Sequence, residues 1–422
     1  MQRFVERYYS PLLVLLIAIA FFSRLYRVHI PEKYMFDEVY HASTAKLIAH
    51  NDPRAYEWNA KSDEKDTAID WLHPPGAKLL QAGSMFLLGE TSFAWRLSSV
   101  VFGTLVILTT VWLAQALFED KRLSLLAGVF AASDGLLLVQ SRIAMNDIHV
   151  TFFILQTLLW YWLYRKKKLR KYFVAAAVMA GCAIASKWSG VFAIGVVGLF
   201  EVASVQITQH RIKNLRRILP NLGLLLLIPA ALYLASYGQM WLQGKPLSHF
   251  VELHKQIWAY QTTLTATHPY QSTALQWFFN IRPVWVAVEY GVGTRADIYA
   301  FGNPALFVWG AIAVILTAGV LVWKFKKSSP ALLFLFVSYL VVWAPWAFSP
   351  RVMFFYHYAP AVPLLSIILA YWVMKLKKKR VVISCISGSI ILAAVVWYPH
   401  WTLLPVSNAF ADQVYFHFTT WK

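Results

Sequence analysis

Residues 92–118 read SFAWRLSSVVFGTLVILTTVWLAQALF. A single charge, Arg96, interrupts a run long enough to cross a bilayer core, which takes ~20 predominantly apolar residues in a helix. Hydrophobic residues make up 59% of the 422 and charged residues 14%, with a mean hydropathy of +0.51. An ordinary soluble domain carries about 25% charged residues. Helices satisfy their own backbone polar groups, so they are the expected spanning element.

Working outward, further apolar runs lie at about Pro11–Val28, Leu123–Ser141, Ile148–Tyr164, Tyr172–Ser186, Gly190–Ile207 and Ile218–Trp241. Four more follow at about Pro304–Trp323, Ala331–Phe348, Met353–Met374 and Val381–Tyr398. The expected architecture is an all-α polytopic membrane protein with about eleven transmembrane helices in a single domain, 1–422. The first run is long for a signal peptide and no small-residue cleavage site follows it, so it reads as retained. Two polar stretches are large, 29–91 and 242–303. Cys182 and Cys385 both lie in apolar runs, which points to neither a disulfide framework nor a cysteine zinc site.

The net charge of +19 is a topology signal. Basic turns such as Arg165–Lys171, Arg211–Arg217, Lys324–Lys327 and Lys375–Arg380 fall on one side of the expected spans, with few acids beside them. The other side balances its bases with acids almost one for one. The positive-inside rule then puts the N-terminus in the cytoplasm, the C-terminus outside and both large loops outside. Nucleic-acid binding is not needed to explain the charge.

The first large loop holds Met35-Phe36-Asp37-Glu38-Val39-Tyr40-His41 and then His73-Pro74-Pro75-Gly76-Ala77-Lys78, which opens an amphipathic run to Leu88. Arg96, Asp134, Arg142, Asp147, Lys187 and Arg351 all fall near the outer ends of spans. Ionisable residues inside a membrane are costly and mark pathways or sites. Four basic groups at one depth, beside a loop of carboxylates, suggest a boundary cavity for an anion such as a lipid phosphate. Arginine meets phosphate as a two-pronged fork and lysine as a point charge. A helix-start arginine such as Arg96 can equally pair with a loop carboxylate such as Glu38. In the second loop, Glu289 and Asp297 read as solvated.

These residues resemble a known family. Phe36-Asp37-Glu38, His73 through Lys78 and Trp95-Arg96-Leu97 look like the opening motifs of the protein O-mannosyltransferases. Ser133-Asp134-Gly135-Leu136, Ser141-Arg142 through Asp147 and Ala185-Ser186-Lys187-Trp188-Ser189-Gly190 continue the match. So do His268-Pro269-Tyr270-Gln271-Ser272, Gly302-Asn303-Pro304 and Tyr356-His357-Tyr358.

The resemblance implies a GT-C glycosyltransferase at the plasma membrane, with its site on the external face. Such enzymes move mannose from a polyprenyl-phosphate carrier to Ser or Thr hydroxyls of secreted or membrane proteins emerging from translocation. It implies catalytic roles for Asp37 and Glu38, with Asp37 near the acceptor hydroxyl and Glu38 positioning a basic partner. Arg142, Lys187, Arg351, Arg96 and Lys78 become candidates for the donor phosphate. Tyr40, His73, Asp147, Trp188, His268 and His357 become candidates for contacting substrate. The second loop is too short for the β-trefoil MIR module of eukaryotic members, so the chain is similar to bacterial ones. No cofactor or metal is expected, since the lipid-linked sugar is a substrate and no metal-ligand spacing appears.

A related group transfers aminoarabinose to lipid A and shares the early motifs; the second-half motifs favour the mannosyltransferases. Two other classes compete. A transporter of lipid-linked sugar would place ionisable residues near the midplane and show similar halves, and neither is evident. A membrane scaffold fits poorly with large outer loops rich in His, Arg and carboxylates.

Overall fold

A computed structural model describes residues 2–206, 211–324, 328–376 and 380–422, with side chains from residue 5 and excepting those of 205–217. The expected inner-face turns Arg211–Arg217, Lys324–Lys327 and Lys375–Arg380 fall largely outside the described side chains.

The body is a bundle of apolar helices. Among them are α1 (Tyr9–Leu25), α4 (Ser92–Phe118), α5 (Lys121–Ala132), α7 (Asp147–Lys167), α8 (Arg170–Ser186), α9 (Val191–Gln206) and α10 (Arg211–Ser236). The second half adds α12 (Pro304–Trp323), α13 (Pro330–Trp343), α14 (Ala361–Lys375) and α15 (Arg380–Thr402). Among the described residues, five helical segments are long and apolar enough to cross a membrane: Ser92–Phe118, Ile218–Ser236, Pro304–Trp323, Pro330–Phe348 and Arg380–Thr402. Tyr9–Leu25, Trp188–Ser204 and Ala361–Lys375 are apolar and shorter. The outward faces stay greasy, with Leu15, Ile19, Leu227, Ile315 and Val395 all exposed, as expected where hydrocarbon is the solvent.

Side-chain caps set several helix boundaries. Thr91 accepts from Ala94 N to start α4, and Asp120 accepts from the amides of Arg122 and Leu123 to start α5. Each cap satisfies a backbone donor left open by helix geometry. Asp134 divides the expected span Leu123–Ser141. Its Oδ1 accepts from Leu137 N to start the short α6 (Gly135–Gln140), and its Oδ2 accepts from Asn303 N. Asn303 in turn caps α12 through Leu306 N. The expected span Met353–Met374 is also corrected: its first residues form a short 3-10 turn, Phe355–Tyr358, and the α-helix begins at Ala361.

The two large loops are ordered and pack on each other. The first contributes α2 (Glu38–Ala49) and α3 (Gly76–Leu88). The second contributes α11 (Leu247–Thr263) and a hairpin, so the all-α expectation is corrected. Strands β1 (Val284–Gly291) and β2 (Thr294–Ala300) pair antiparallel, and β3 (Val406–Ser407) joins β2 from near the C-terminus. Asp297, expected to be solvated, is buried on β2 and paired with Arg295 at 2.8 Å.

A second apolar core ties the loops together. It joins Ala42, Ala45 and Ile48 of α2 and Met85 of α3 to Tyr237, Met240, Leu253 and Ile257. Helix α3 turns Phe86 and Leu87 outward and buries Ala77, Lys78, Gln81 and Met85; such a helix suits a membrane interface. Gly76 lets the start of α3 lie against the end of α8. A Cβ there would sit 2.5 Å from the carbonyl oxygen of Ala185. That approach brings the His-Pro-Pro motif beside Ser186-Lys187.

Candidate active site

Asp37 stands at the N-terminus of α2 without its side chain capping the helix. The preceding residue, Phe36, has a left-handed backbone, φ 48°, rare for a non-glycine residue and typical of functional sites. Its ring packs edge-on against Tyr356 at 6.0 Å. This places the half-buried Asp37 carboxyl on a cavity wall, facing the Tyr356 hydroxyl. Burial raises its pKa, outweighing the pull of His41 and Lys187, and leaves it at about 6. Asp37 is therefore poised to accept a proton near neutrality.

The cavity holds about 800 Å³. Asp37, Tyr40 and His41 line it from α2, with Asp70 and His73 from the segment before α3. Lys187 and Trp188 come from the turn after α8, and Trp258, Tyr260 and Gln261 from α11. His268, Trp346, Arg351, Tyr356 and His357 complete the wall. Lys187 Nζ bonds both oxygens of the buried Asp147, at 2.8 and 3.0 Å, and lies 5.3 Å from the ring centre of Tyr356. Arg351 bonds the Gln261 side chain through Nη1 and leaves a buried Nε without a partner. It keeps donors for an anion.

Of the residues singled out in the sequence, Asp37, Tyr40, His73, Lys187, Trp188, His268, Arg351 and His357 meet in this cavity. Asp147 stands behind Lys187 as its counter-ion. Of the remaining four, Glu38 and Arg96 form the ion pair that the sequence reading offered as the alternative, and Arg142 and Lys78 are corrected, since both bond the protein itself.

Glu38 is fully buried, and its carboxylate takes Arg96 at 2.7 and 2.8 Å plus the amides of Met35 and Ala144. Arg96 spends its other donors on the carbonyls of Val28, Pro31 and Lys33. That pair anchors the acidic loop onto α4 and leaves no group for catalysis or phosphate. Arg142 gives Nη1 to the carbonyls of Arg24 and Tyr26 at the end of α1. Lys78 is buried on Asp70, 3.1 Å from its Oδ2, and bonds the carbonyls of Asp70 and His73. Charges at the right depth are thus turned into the protein.

Sequence reasoning passed over Asp70. It accepts from His41 Nδ1 and His73 Nδ1, each at 2.8 Å. Burial opposes its ionisation, but His73, Lys78 and His41 together hold its carboxyl well below the usual range. Ligand atoms of His41, Asp70 and His73 lie within 4.8 Å of one another, a spacing that would also admit a cation. The Lys78 ammonium also lies on Asp70 there.

Trp188 and Val191 belong to a second depression, an apolar groove of about 640 Å³. Ile184, Leu225, Leu226, Pro229, Ala230 and Leu234 form most of it, with Phe250 and His254 of α11 along one edge. Trp188 Nε1 donates to Tyr233 Oη at 2.9 Å, which fixes the indole where cavity meets groove.

Residues 73–239 match the family model described as dolichyl-phosphate-mannose-protein mannosyltransferase. Residues 246–413 match the C-terminal four-transmembrane region of protein-O-mannosyltransferase. The chain is 27% identical over 368 residues to a polyprenol-phosphate-mannose–protein mannosyltransferase of Corynebacterium glutamicum, covering 71% of this chain and 69% of that one. Against the protein of the same name from Mycobacterium tuberculosis it is 25% identical over 450 residues, with 89% and 84% covered. In fold it is similar to the Saccharomyces cerevisiae Pmt1-Pmt2 complex bound to the sugar donor, with a TM-score of 0.78 at 14% identity, over 96% of this chain and 91% of that one. ArnT from Cupriavidus metallidurans bound to undecaprenyl phosphate aligns with a TM-score of 0.64 at 14% identity, over 93% and 76%. Two consecutive family models and a shared fold leave one assignment: this membrane-embedded chain belongs to the protein O-mannosyltransferases, a family of glycosyltransferases.

Proposed function

We propose that the cavity transfers mannose from a polyprenyl-phosphate carrier to Ser or Thr hydroxyls of proteins, in one inverting displacement. The observation that carries this reading is the continuity of two surfaces. The cavity holding Asp37, Lys187 and Arg351 and the apolar groove share Trp188 and Val191 in their walls and so lie side by side. A lipid-linked sugar phosphate has the same two parts. Its isoprenoid chain fits the groove, its phosphate lies toward Lys187 and Arg351, and its sugar occupies the cavity. The names of the curated relatives support this donor and a protein acceptor.

Asp37 takes the proton of the acceptor hydroxyl as its oxygen attacks the anomeric carbon. The bond from that carbon to the phosphate oxygen breaks, and its electron pair stays on the phosphate. Lys187 and Arg351 stabilise the charge that appears there, the usual route to large rate gains at anionic leaving groups. One displacement inverts the anomeric centre. Phosphate is already a good leaving group, and two cations face it, so the transfer proceeds without a metal; activity surviving a chelator checks this.

The outer face is the working face in this reading. Asp147 begins α7 and Lys187 follows α8, so both lie at the bundle end opposite the basic turn Arg165–Lys171. With that turn cytoplasmic, cavity and acceptor are external, the N-terminus is inside, and the chain crosses the plasma membrane about eleven times. The deciding experiment incubates purified full-length protein with radiolabelled polyprenyl-phosphate-mannose and a Ser/Thr peptide. Mannosylated peptide is the expected product; label moving only to lipid acceptors, or nowhere, overturns the assignment.

A further inference from the structure

One side chain meets both the proposed base and a proposed phosphate cation. Tyr356 sits in the turn Phe355–Tyr358 ahead of α14, buried in the wall of the cavity. Its hydroxyl is turned to the Asp37 carboxyl, and Lys187 Nζ lies over its ring, 5.3 Å from the centre. That is within the ~6 Å at which an ammonium is drawn to an aromatic face. The ring is packed in place. Phe36, the residue before Asp37, meets it edge-on at 6.0 Å, while Phe354 and His357 stack on it at 5.5 and 4.8 Å.

A single displacement puts the entering oxygen and the leaving phosphate on opposite sides of the anomeric carbon. The base must then stand at one end and the cation at the other, and small errors in that spacing cost rate steeply. We propose that Tyr356 sets this spacing as a positioning residue: its hydroxyl donates to the Asp37 carboxylate and its ring face holds the Lys187 ammonium. One Asp37 oxygen is thereby engaged, and the other keeps its lone pairs for the acceptor hydroxyl. Asp147 holds the same ammonium at 2.8 Å, so Lys187 is fixed from two directions. The tyrosine stays a donor, since burial and the Asp37 charge hold its own ionisation well above the ordinary value.

Other titratable groups also face Asp37: Tyr40 and His41 from its own helix, Asp70 from the segment before α3, Asp147 from α7 and Lys187 from the turn after α8. Arg351 and Asp147 face Tyr356. All of them remain when Tyr356 becomes phenylalanine, so the loss of one hydroxyl is read against a constant background. A donor favours the ionised carboxylate. Without it Asp37 holds its proton more tightly, and the acid limb of the rate profile moves to higher pH.

This inference rests on the proposed transfer, and the test keeps the two apart. Full-length protein in lipid nanodiscs is given polyprenyl-phosphate-mannose and a Ser/Thr peptide across a range of pH. Tyr356→Phe keeps the ring and its packing, so its melting temperature and, on the alkaline plateau, its donor and peptide KM should hold. Its acid limb should rise by about one pH unit, the shift that a lost hydrogen bond to a charged group gives. Tyr356→Leu removes the ring as well, and its donor KM should rise about 3–10-fold with peptide KM held; Tyr356→Met replaces it if the leucine variant does not fold. A merely structural role would lower the rate equally at every pH. That result, an unmoved limb in Tyr356→Phe, or a donor KM no higher without the ring than with it, overturns the proposal. Failure of the unaltered protein to mannosylate the peptide sinks the proposed function itself, whereas a working protein with an unmoved limb sinks only the role of Tyr356.

Discussion

Lys187 Nζ lies 2.8 Å from Oδ1 of Asp147 and 3.0 Å from Oδ2, so a cation on the cavity wall is matched by a buried carboxylate before any phosphate arrives. The pair fixes the ammonium in place, and in the proposed reading the phosphate is met by a donor that need not reorganise. That is the arrangement in which fixed charges accelerate a reaction most.

Replacing Lys187 by alanine removes one charge-assisted contact to the phosphate, worth about 1.5–3 kcal/mol. Donor KM should rise about 10–100-fold, with peptide KM held. Arg351→Ala should act in the same direction. Separate saturation curves for donor and peptide measure it, and a loss confined to the peptide curve would move these cations away from the phosphate.

Asp37 predicts a pH profile. Burial raises its carboxyl from 3.8 to about 6 against the pull of His41 and Lys187. Below that value the folded protein holds the neutral, inactive form, so transfer should fall as pH drops through about 6 and level off above it. Stability runs the other way. A raised carboxyl means the folded state binds more protons than the unfolded state between about 4 and 6, so this group's contribution falls as pH rises across that window. Asp37→Asn should therefore cut transfer about 10²–10⁴-fold while its melting temperature at pH 7 is equal or higher. A variant that loses activity through lowered melting temperature would put Asp37 in a structural role.

Glu38 and Arg96 are the opposite case, two fully buried charges that hold each other. Removing one partner strands the other, a loss of about 3–5 kcal/mol. Glu38→Ala and Arg96→Ala should each lower the melting temperature and the yield of folded protein in membranes. The double variant should be less destabilised than the sum of the two, since neither charge is then left unpaired. Additive losses would mean that the pair does not act as a unit.

These contrasts show what the sequence can and cannot carry. The helices were legible because long apolar runs have few alternatives in a membrane protein. Asp37 stood out through its acidic motif, and Lys187 and Arg351 because charges at the ends of such runs are costly and few. Arg96 and Arg142 stood out for the same reason and Lys78 through its motif, yet all three bond the protein itself, Arg96 in the pairing with Glu38 that was also legible. Depth in the membrane is readable along a sequence, but the direction a side chain points is set by carbonyls such as Val28 and Arg24 from other segments. Asp70 lies in a polar loop where any aspartate reads as solvated, and two histidines brought together by folding give it meaning. The hairpin did leave a trace, with apolar and β-branched residues flanking Gly291-Val292-Gly293.

The groove gives the last prediction. Each buried methylene of an isoprenoid contributes about 0.8 kcal/mol, so a long chain lying along Leu225, Leu226, Pro229 and Leu234 adds binding that a short chain cannot. Ala230 faces this groove from an exposed position on α10, where a larger side chain fills the groove without invading the core. Ala230→Trp should raise KM about tenfold for a long-chain mannosyl phosphate, on the order of 1.4 kcal/mol, and leave a donor with a short soluble chain almost unaffected. Lys187→Ala should weaken both donors alike, because phosphate is common to them. Paired saturation curves for the two donors separate the effects. Equal losses in Ala230→Trp would place the lipid tail elsewhere on the bundle and detach the groove from the donor.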